Sequence, residues 1–298
     1  MRDWANYRHY GWVIAIAMLL VQTVSSGLGF YNMSVYMSFF ARELDASLDV
    51  ISLSVSLFFI SGGVAGLFVA RLLERWDIRT IMVIGASVSG VALLLIGRAS
   101  NLYELYALFT LFGIGNTGVS IVVATSLITQ WFPDERRSVA LSISSTGLSL
   151  GGVLITPFTA YLFDKSGIFE AMPLLGVIFV VGIVPIVILF IRPPVTLQSV
   201  KETKRNFEME YLQARKSRFF VCVTTAYVLI MAAQVGGIAH LYNRVDALGG
   251  LGVAAGSIQA LTLASISGRL LGGWLLTRIT IRPFLFFNLL IQLLGLFL

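Results

Sequence analysis

Val50-Ile-Ser-Leu-Ser-Val-Ser-Leu-Phe-Phe-Ile-Ser-Gly-Gly-Val-Ala-Gly-Leu-Phe-Val-Ala-Arg-Leu-Leu-Glu-Arg-Trp-Asp-Ile-Arg79 carries no charge over residues 50–70 and then five charges in residues 71–79. An apolar stretch of roughly 20 residues matches the thickness of a bilayer core. A water-facing helix of that length needs a polar stripe at 3.6-residue spacing, and this one has none. The segment reads as a membrane-spanning helix that ends in a charged turn.

The same pattern repeats along the chain. Uncharged runs occupy 9–41, 80–97, 105–133, 138–163, 171–191, 219–243, 247–268 and 283–298, which with 50–70 makes nine expected spans. Charged residues are 12% of the 298 and hydrophobic ones 57%, where soluble domains carry about 25% charge. An all-α, multi-pass membrane protein follows, and a soluble fold is excluded. The first run follows a basic amino-terminal stretch, as in a signal peptide. It lacks a clean small-residue cleavage site, so it is read as a retained helix.

Loop charges set an orientation. With the amino terminus cytoplasmic, 17 of the 21 Lys and Arg fall on the inside, leaving Arg42, Arg98, Lys165 and Arg244 outside. That Lys/Arg bias predicts an inner or plasma membrane protein with its amino terminus in the cytoplasm. The net charge of +6 borders the spans instead of forming one basic patch, so no nucleic-acid partner is implied. Two His and one Cys (Cys222) cannot supply a zinc-type cluster. No glycine-rich phosphate loop is present. The expectation is no metal, no cofactor and no catalysis.

Helices are expected near 12–38, 50–70, 80–98, 104–130, 138–162 and 171–191, and again at 218–242, 250–276 and 282 onward. Residues 1–191 would form a six-helix bundle, 192–217 a charged cytoplasmic linker, and 218–298 the first three helices of a second bundle. In the linker, Phe207, Tyr211 and Ala214 fall at helical spacing between basic residues, which suits either an amphipathic surface helix or a solvated connector. Ala70-Arg-Leu-Leu-Glu-Arg-Trp-Asp-Ile-Arg79 also matches Gly273-Trp-Leu-Leu-Thr-Arg-Ile-Thr-Ile-Arg282 at five positions. Both copies follow the second helix of a bundle, and such repeats enclose the substrate site in many carriers. The chain ends within the ninth helix, so three more would complete the second bundle and the 298 residues alone are expected to be inactive.

Gly66-Leu-Phe-Val-Ala-Arg-Leu-Leu-Glu-Arg-Trp-Asp-Ile-Arg79 resembles the signature loop of the major facilitator superfamily, with Glu74-Arg75 at the acid–arginine pair, Arg79 at the basic position and Asp77 where the loop glycine usually stands. Tyr10-Gly-Trp-Val13, Gly113-Ile-Gly115, Trp131-Phe-Pro-Asp-Glu-Arg-Arg-Ser-Val-Ala-Leu141, Gly147-Leu-Ser-Leu-Gly-Gly152 with Pro157, and Ser267-Gly-Arg-Leu-Leu-Gly-Gly-Trp274 narrow the resemblance to the monocarboxylate transporter and oxalate:formate antiporter branch. The resemblance implies a two-bundle carrier that works by alternating access. It further implies that Arg269, the arginine of helix 8, contacts the carboxylate of the transported anion. Animal-type members carry an aspartate one turn earlier, where Ser265 stands, and a basic residue in helix 1, where Ser34 stands.

Arg269 is also singled out on physical grounds. It lies nine residues before Arg278, about 13 Å deeper on a helical rise of 1.5 Å per residue. A charge inside the bilayer costs about 2.5–3.5 kcal/mol and faces a cavity or a partner. Its alternative is to snorkel toward the cytoplasm. The other intramembrane candidates for a substrate site are His240, Gln234, Tyr31 and Asn32. Gly147, Gly151 and Gly152 are expected to let helix 5 approach a neighbour closely. Glu74, Arg75, Arg79, Arg278 and Arg282 are expected to act as a cytoplasmic gate. The reading is a secondary carrier of small organic anions, with a coupling proton or counter-anion and the lipid bilayer as further partners. A carrier of a neutral or cationic solute or drug, or a transport-inactive receptor, stands as the alternative.

Overall fold

The computed structural model describes residues 2–73, 75–132, 134–192, 217–249 and 251–297, and all regular structure in them is helical. In order the elements are α1 (Arg2–Ser26), a π-helical turn (Gly27–Tyr31), α2 (Asn32–Glu43), α3 (Leu48–Leu72), α4 (Ile78–Ile96), α5 (Leu102–Thr117), α6 (Ile121–Trp131), α7 (Asp134–Ser166), α8 (Ile168–Phe190), α9 (Arg218–Gly249), α10 (Leu251–Leu275) and α11 (Ile281–Phe297). Among the described residues seven stretches are long and apolar enough to cross a bilayer, the last of them Arg218–Ile238. The expected eighth span, α10, has 25 residues but is diluted by Gly, Ser, Thr, Gln259 and Arg269, and α11 has only 17. The linker 193–216 and Glu74 lie outside the described residues.

Two expected spans are broken. The first splits into α1, the π turn and α2; the fourth splits at Gly118–Ser120 into α5 and α6. The first break is held by side chains. The backbone N–H of Asn32 donates to the Gly27 carbonyl, and the Tyr36 hydroxyl donates to the Leu28 carbonyl at 2.9 Å. Groups left open by the wider turn are thereby satisfied, as a bilayer demands.

Helix α1 lies along α7, α4 along α8 and α5, and α3 along α5, so the first six spans pack on one another. Without a hydrophobic drive between helices in lipid, close fit must hold them. Aromatic rings supply much of it: Tyr36, Phe40, Phe109, Phe112, Phe163 and Phe179 are all fully buried. Tyr36 and Phe40 meet Phe109 edge-on at 6.1 and 6.2 Å, and Phe112 meets Phe179 at 5.9 Å. Such geometry suits the ring quadrupoles. Near the other end, Trp12 meets the Phe132 ring at 5.0 Å, Tyr10 meets Trp131 at 5.5 Å, and the Trp131 indole donates to the Arg192 carbonyl. Helix α7 ends at Gly167, whose φ of 79° is left-handed and turns the chain into α8.

Helices α9 and α10 pack as a pair. Helix α10 meets the first six spans along α7, and α9 meets them along α2. The seam between these two groups of helices carries the candidate site.

Candidate functional site

Arg269 lies in α10 six residues before its end at Leu275, about 9 Å inside the helix on the usual rise. It is half-buried, and its Nε donates to Ser265 Oγ at 3.3 Å, one turn back on its own helix. No described carboxylate pairs with it. The two terminal nitrogens of the guanidinium, a planar fork of donors, make no hydrogen bond among the described residues. Arg269 forms a wall of two cavities. One, of about 420 Å³, lies between α1, α6, α7 and α10; the other, of about 620 Å³, lies between α7, α10 and α11. The side chain is held at the seam.

Ser265 links this cation to the other side of the seam. Ser149 of α7 donates to Ser265 at 3.0 Å. The Tyr31 phenol lies near Ser149 and within electrostatic reach of Arg269. A polar chain thus runs from Ser149 of α7 through Ser265 to Arg269, with the Tyr31 phenol of the π turn beside it. Gly152 makes room for it, since a Cβ there would meet the Thr262 methyl and lie 3.0 Å from the Tyr31 ring.

The remaining sequence candidates scatter. Asn32 is fully buried and donates to Thr159 at 2.8 Å, tying α2 to α7. Gln234 and His240 are exposed on α9 and line neither Arg269 cavity. Gly147 and Gly151 lie against α1: a Cβ on the first would overlap the Leu19 carbonyl, and one on the second would sit 2.5 Å from Gly27 N. Arg75 and Arg282 are exposed, and Arg278 stacks over Trp274 at 5.8 Å. Asp77 accepts from the Arg79 backbone N–H and caps α4. Among the described residues these arginines form no ion pair.

Sequence reasoning missed a contact at the opposite end. Helix α9 runs on to Gly249, which puts Asp246 on a helix facing α2. Asp246 pairs with Arg42 at 2.5 Å and accepts from Ser38 at 3.4 Å. The carboxylate is 11% exposed and the arginine side chain 54%. Such a half-exposed pair contributes about 1 kcal/mol, a shift of about fivefold in a two-state equilibrium. Asp246→Asn is therefore expected to raise labelling of a cysteine at Ala41, half-buried in the same cleft, by a membrane-impermeant maleimide several-fold. The exchanged pair Arg42→Asp with Asp246→Arg should restore protection. Equal labelling in all three would show that the contact does not close the seam.

The sequence profile of the Major Facilitator Superfamily matches residues 19–298. The chain is 26% identical over 243 residues to the uncharacterized MFS-type transporter YcxA of Bacillus subtilis, covering 79% of this chain and 58% of that protein. It is 25% identical over 173 residues to human monocarboxylate transporter 14, covering 57% of this chain and 33% of that one. In structure it is similar to a bacterial homolog of the human lysosomal transporter Spinster in an inward-facing, occupied conformation. The TM-score is 0.65 at 17% identity, over 93% of this chain and 63% of the other. The chain thus spans under two thirds of each of these proteins. The profile match and the fold agree, and the chain belongs to the Major Facilitator Superfamily.

Proposed function

We propose that this chain supplies the anion-binding side of a secondary carrier for small carboxylates, mono- or dicarboxylates, moving them by alternating access. The observation that carries the reading is Arg269, a cation inside α10 at the seam whose terminal nitrogens make no hydrogen bond among the described residues and which has no described acid beside it. A guanidinium fork binds a carboxylate bidentately, and the low dielectric of a helix seam strengthens the pair. Residues 1–191 and 218–298 would rock as two bodies about the linker, with the amino terminus cytoplasmic in the cell membrane. Ser265 and Ser34 bear no charge, which favours exchange against a counter-anion over a proton relay at those positions. The similarity to monocarboxylate transporter 14 supports the carboxylate class of the cargo.

The test is a flux panel with the full-length gene product in proteoliposomes. Saturable uptake of labelled mono- or dicarboxylates, accelerated by an internal counter-anion, is expected. Uptake of neutral sugars or cationic drugs with no carboxylate flux would replace the reading with the alternative carrier, and binding without flux would point to a receptor.

A further inference from the structure

Gln22 of α1 is 1% exposed, and its amide nitrogen is enclosed without a hydrogen-bond partner among the described residues. A buried amide left unpaired costs stability, so a native structure rarely keeps one without use. Gln22 lines the same 420 Å³ cavity as Arg269, the one from α1 and the other from α10, together with the hydroxyl-bearing Thr125 of α6 and Ser138, Ser142, Ser144 and Ser145 of α7. The other lining residues are small or aliphatic. Acidic side chains are absent from that lining, so the cavity offers two anchoring groups at separate walls and nothing that repels an anion.

We propose that Gln22 is a specificity-determining residue that reads a second polar group on the substrate, which makes the preferred cargo a bifunctional carboxylate: a small acid with a hydroxyl, keto, sulfonate or second carboxylate group. The inference rests on the carboxylate reading of Arg269. One carboxylate meets the guanidinium, and the second oxygen-bearing group accepts from the Gln22 amide. A simple monocarboxylate such as acetate fills a small part of the cavity and leaves the amide unpaired. Sites with a dedicated buried donor discriminate strongly against ligands that lack the matching acceptor, whereas those ligands lose nothing when the donor is removed.

The experiment uses the full-length gene product in proteoliposomes, with labelled acetate uptake competed by unlabelled glycolate, malonate and sulfoacetate. Gln22→Leu keeps the side-chain volume and removes an unpaired buried amide, so its thermal stability should match or exceed the parent's. Its expected signature is a loss of about tenfold in competition by the bifunctional acids, measured relative to the change in acetate uptake by the same variant. Gln22→Glu should weaken malonate and sulfoacetate further through like-charge repulsion, while sparing acetate more. An equal effect of Gln22→Leu on acetate uptake and on the bifunctional competitors, or none on any, overturns the proposal. If Arg269→Gln leaves every anion untouched, the carboxylate reading itself fails; if it abolishes them all while Gln22→Leu shows no selectivity, only this inference falls.

Discussion

Arg269→Gln in the full-length gene product is expected to lower carboxylate flux about a hundredfold with no loss of folded protein. Each charge-assisted hydrogen bond from a guanidinium is worth about 1.5–3 kcal/mol, and a bidentate carboxylate uses two of them. Losing roughly 3 kcal/mol of binding corresponds to a little over two decades in affinity. Stability should not suffer in parallel. The arginine makes one hydrogen bond to its own helix, at 3.3 Å, and no described ion pair. A neutral side chain removes an insertion cost of about 2.5–3.5 kcal/mol. Arg269→Lys keeps the charge and loses the planar fork, so it should fall between, near a tenfold loss by the value of one charged hydrogen bond. Flux unchanged in Arg269→Gln at equal expression would leave this cation a purely structural role.

Tyr31 lies at the end of the π turn, near Ser149 and within electrostatic reach of Arg269. Its place there was only partly legible in the sequence. Counting charge gaps finds helices well, because every uncharged run of bilayer length must be satisfied by intrahelical hydrogen bonds. It is blind to what happens inside a run. The π turn at Gly27–Tyr31 is imposed by tertiary contacts. Gly27 presses on Gly151, Gly29 on the Asn116 amide, and Tyr36 caps the Leu28 carbonyl. The two glycines mid-span were the one local hint. Gln22 left no mark for the same reason, as an uncharged residue in a run defined by lack of charge. Asp246 failed in the opposite sense. Its charge, with that of Arg244, reads as a loop, yet α9 runs through both residues to Gly249 and Asp246 pairs with Arg42 of α2. His240 and Gln234 are polar residues within a span, exposed on α9 and outside the linings of both cavities that Arg269 lines.

The other large effect lies in the helix packing that holds Tyr31 and Arg269 in register. Gly151→Val is expected to remove most of the monodisperse protein recovered from membranes, and Gly147→Val to do the same. At Gly151 a Cβ would lie 2.5 Å from both Gly27 N and Thr23 O, and at Gly147 it would overlap the Leu19 carbonyl. Those neighbours are backbone, so no rotamer change relieves the clash. Helix α1 would have to shift away from α7, breaking the Ser26 hydroxyl's 2.7 Å bond to the Leu148 carbonyl. Overpacking usually costs about 1–3 kcal/mol, and a helix moved as a unit loses further contacts along its length, since lipid fills the gap as readily as a side chain does. Gly63→Val is the matched control, because a Cβ there meets nothing within 4 Å. It should behave as the parent on size-exclusion and in thermal melts. If Gly63→Val and Gly151→Val melt alike, the penalty belongs to β-branching in a helix. If only the α7 variants fail, it belongs to the approach of α1. Were Gly147→Val and Gly151→Val both to fold normally and transport at parental rates, the close contact that positions the π turn beside Ser149 would not be a feature of the working protein.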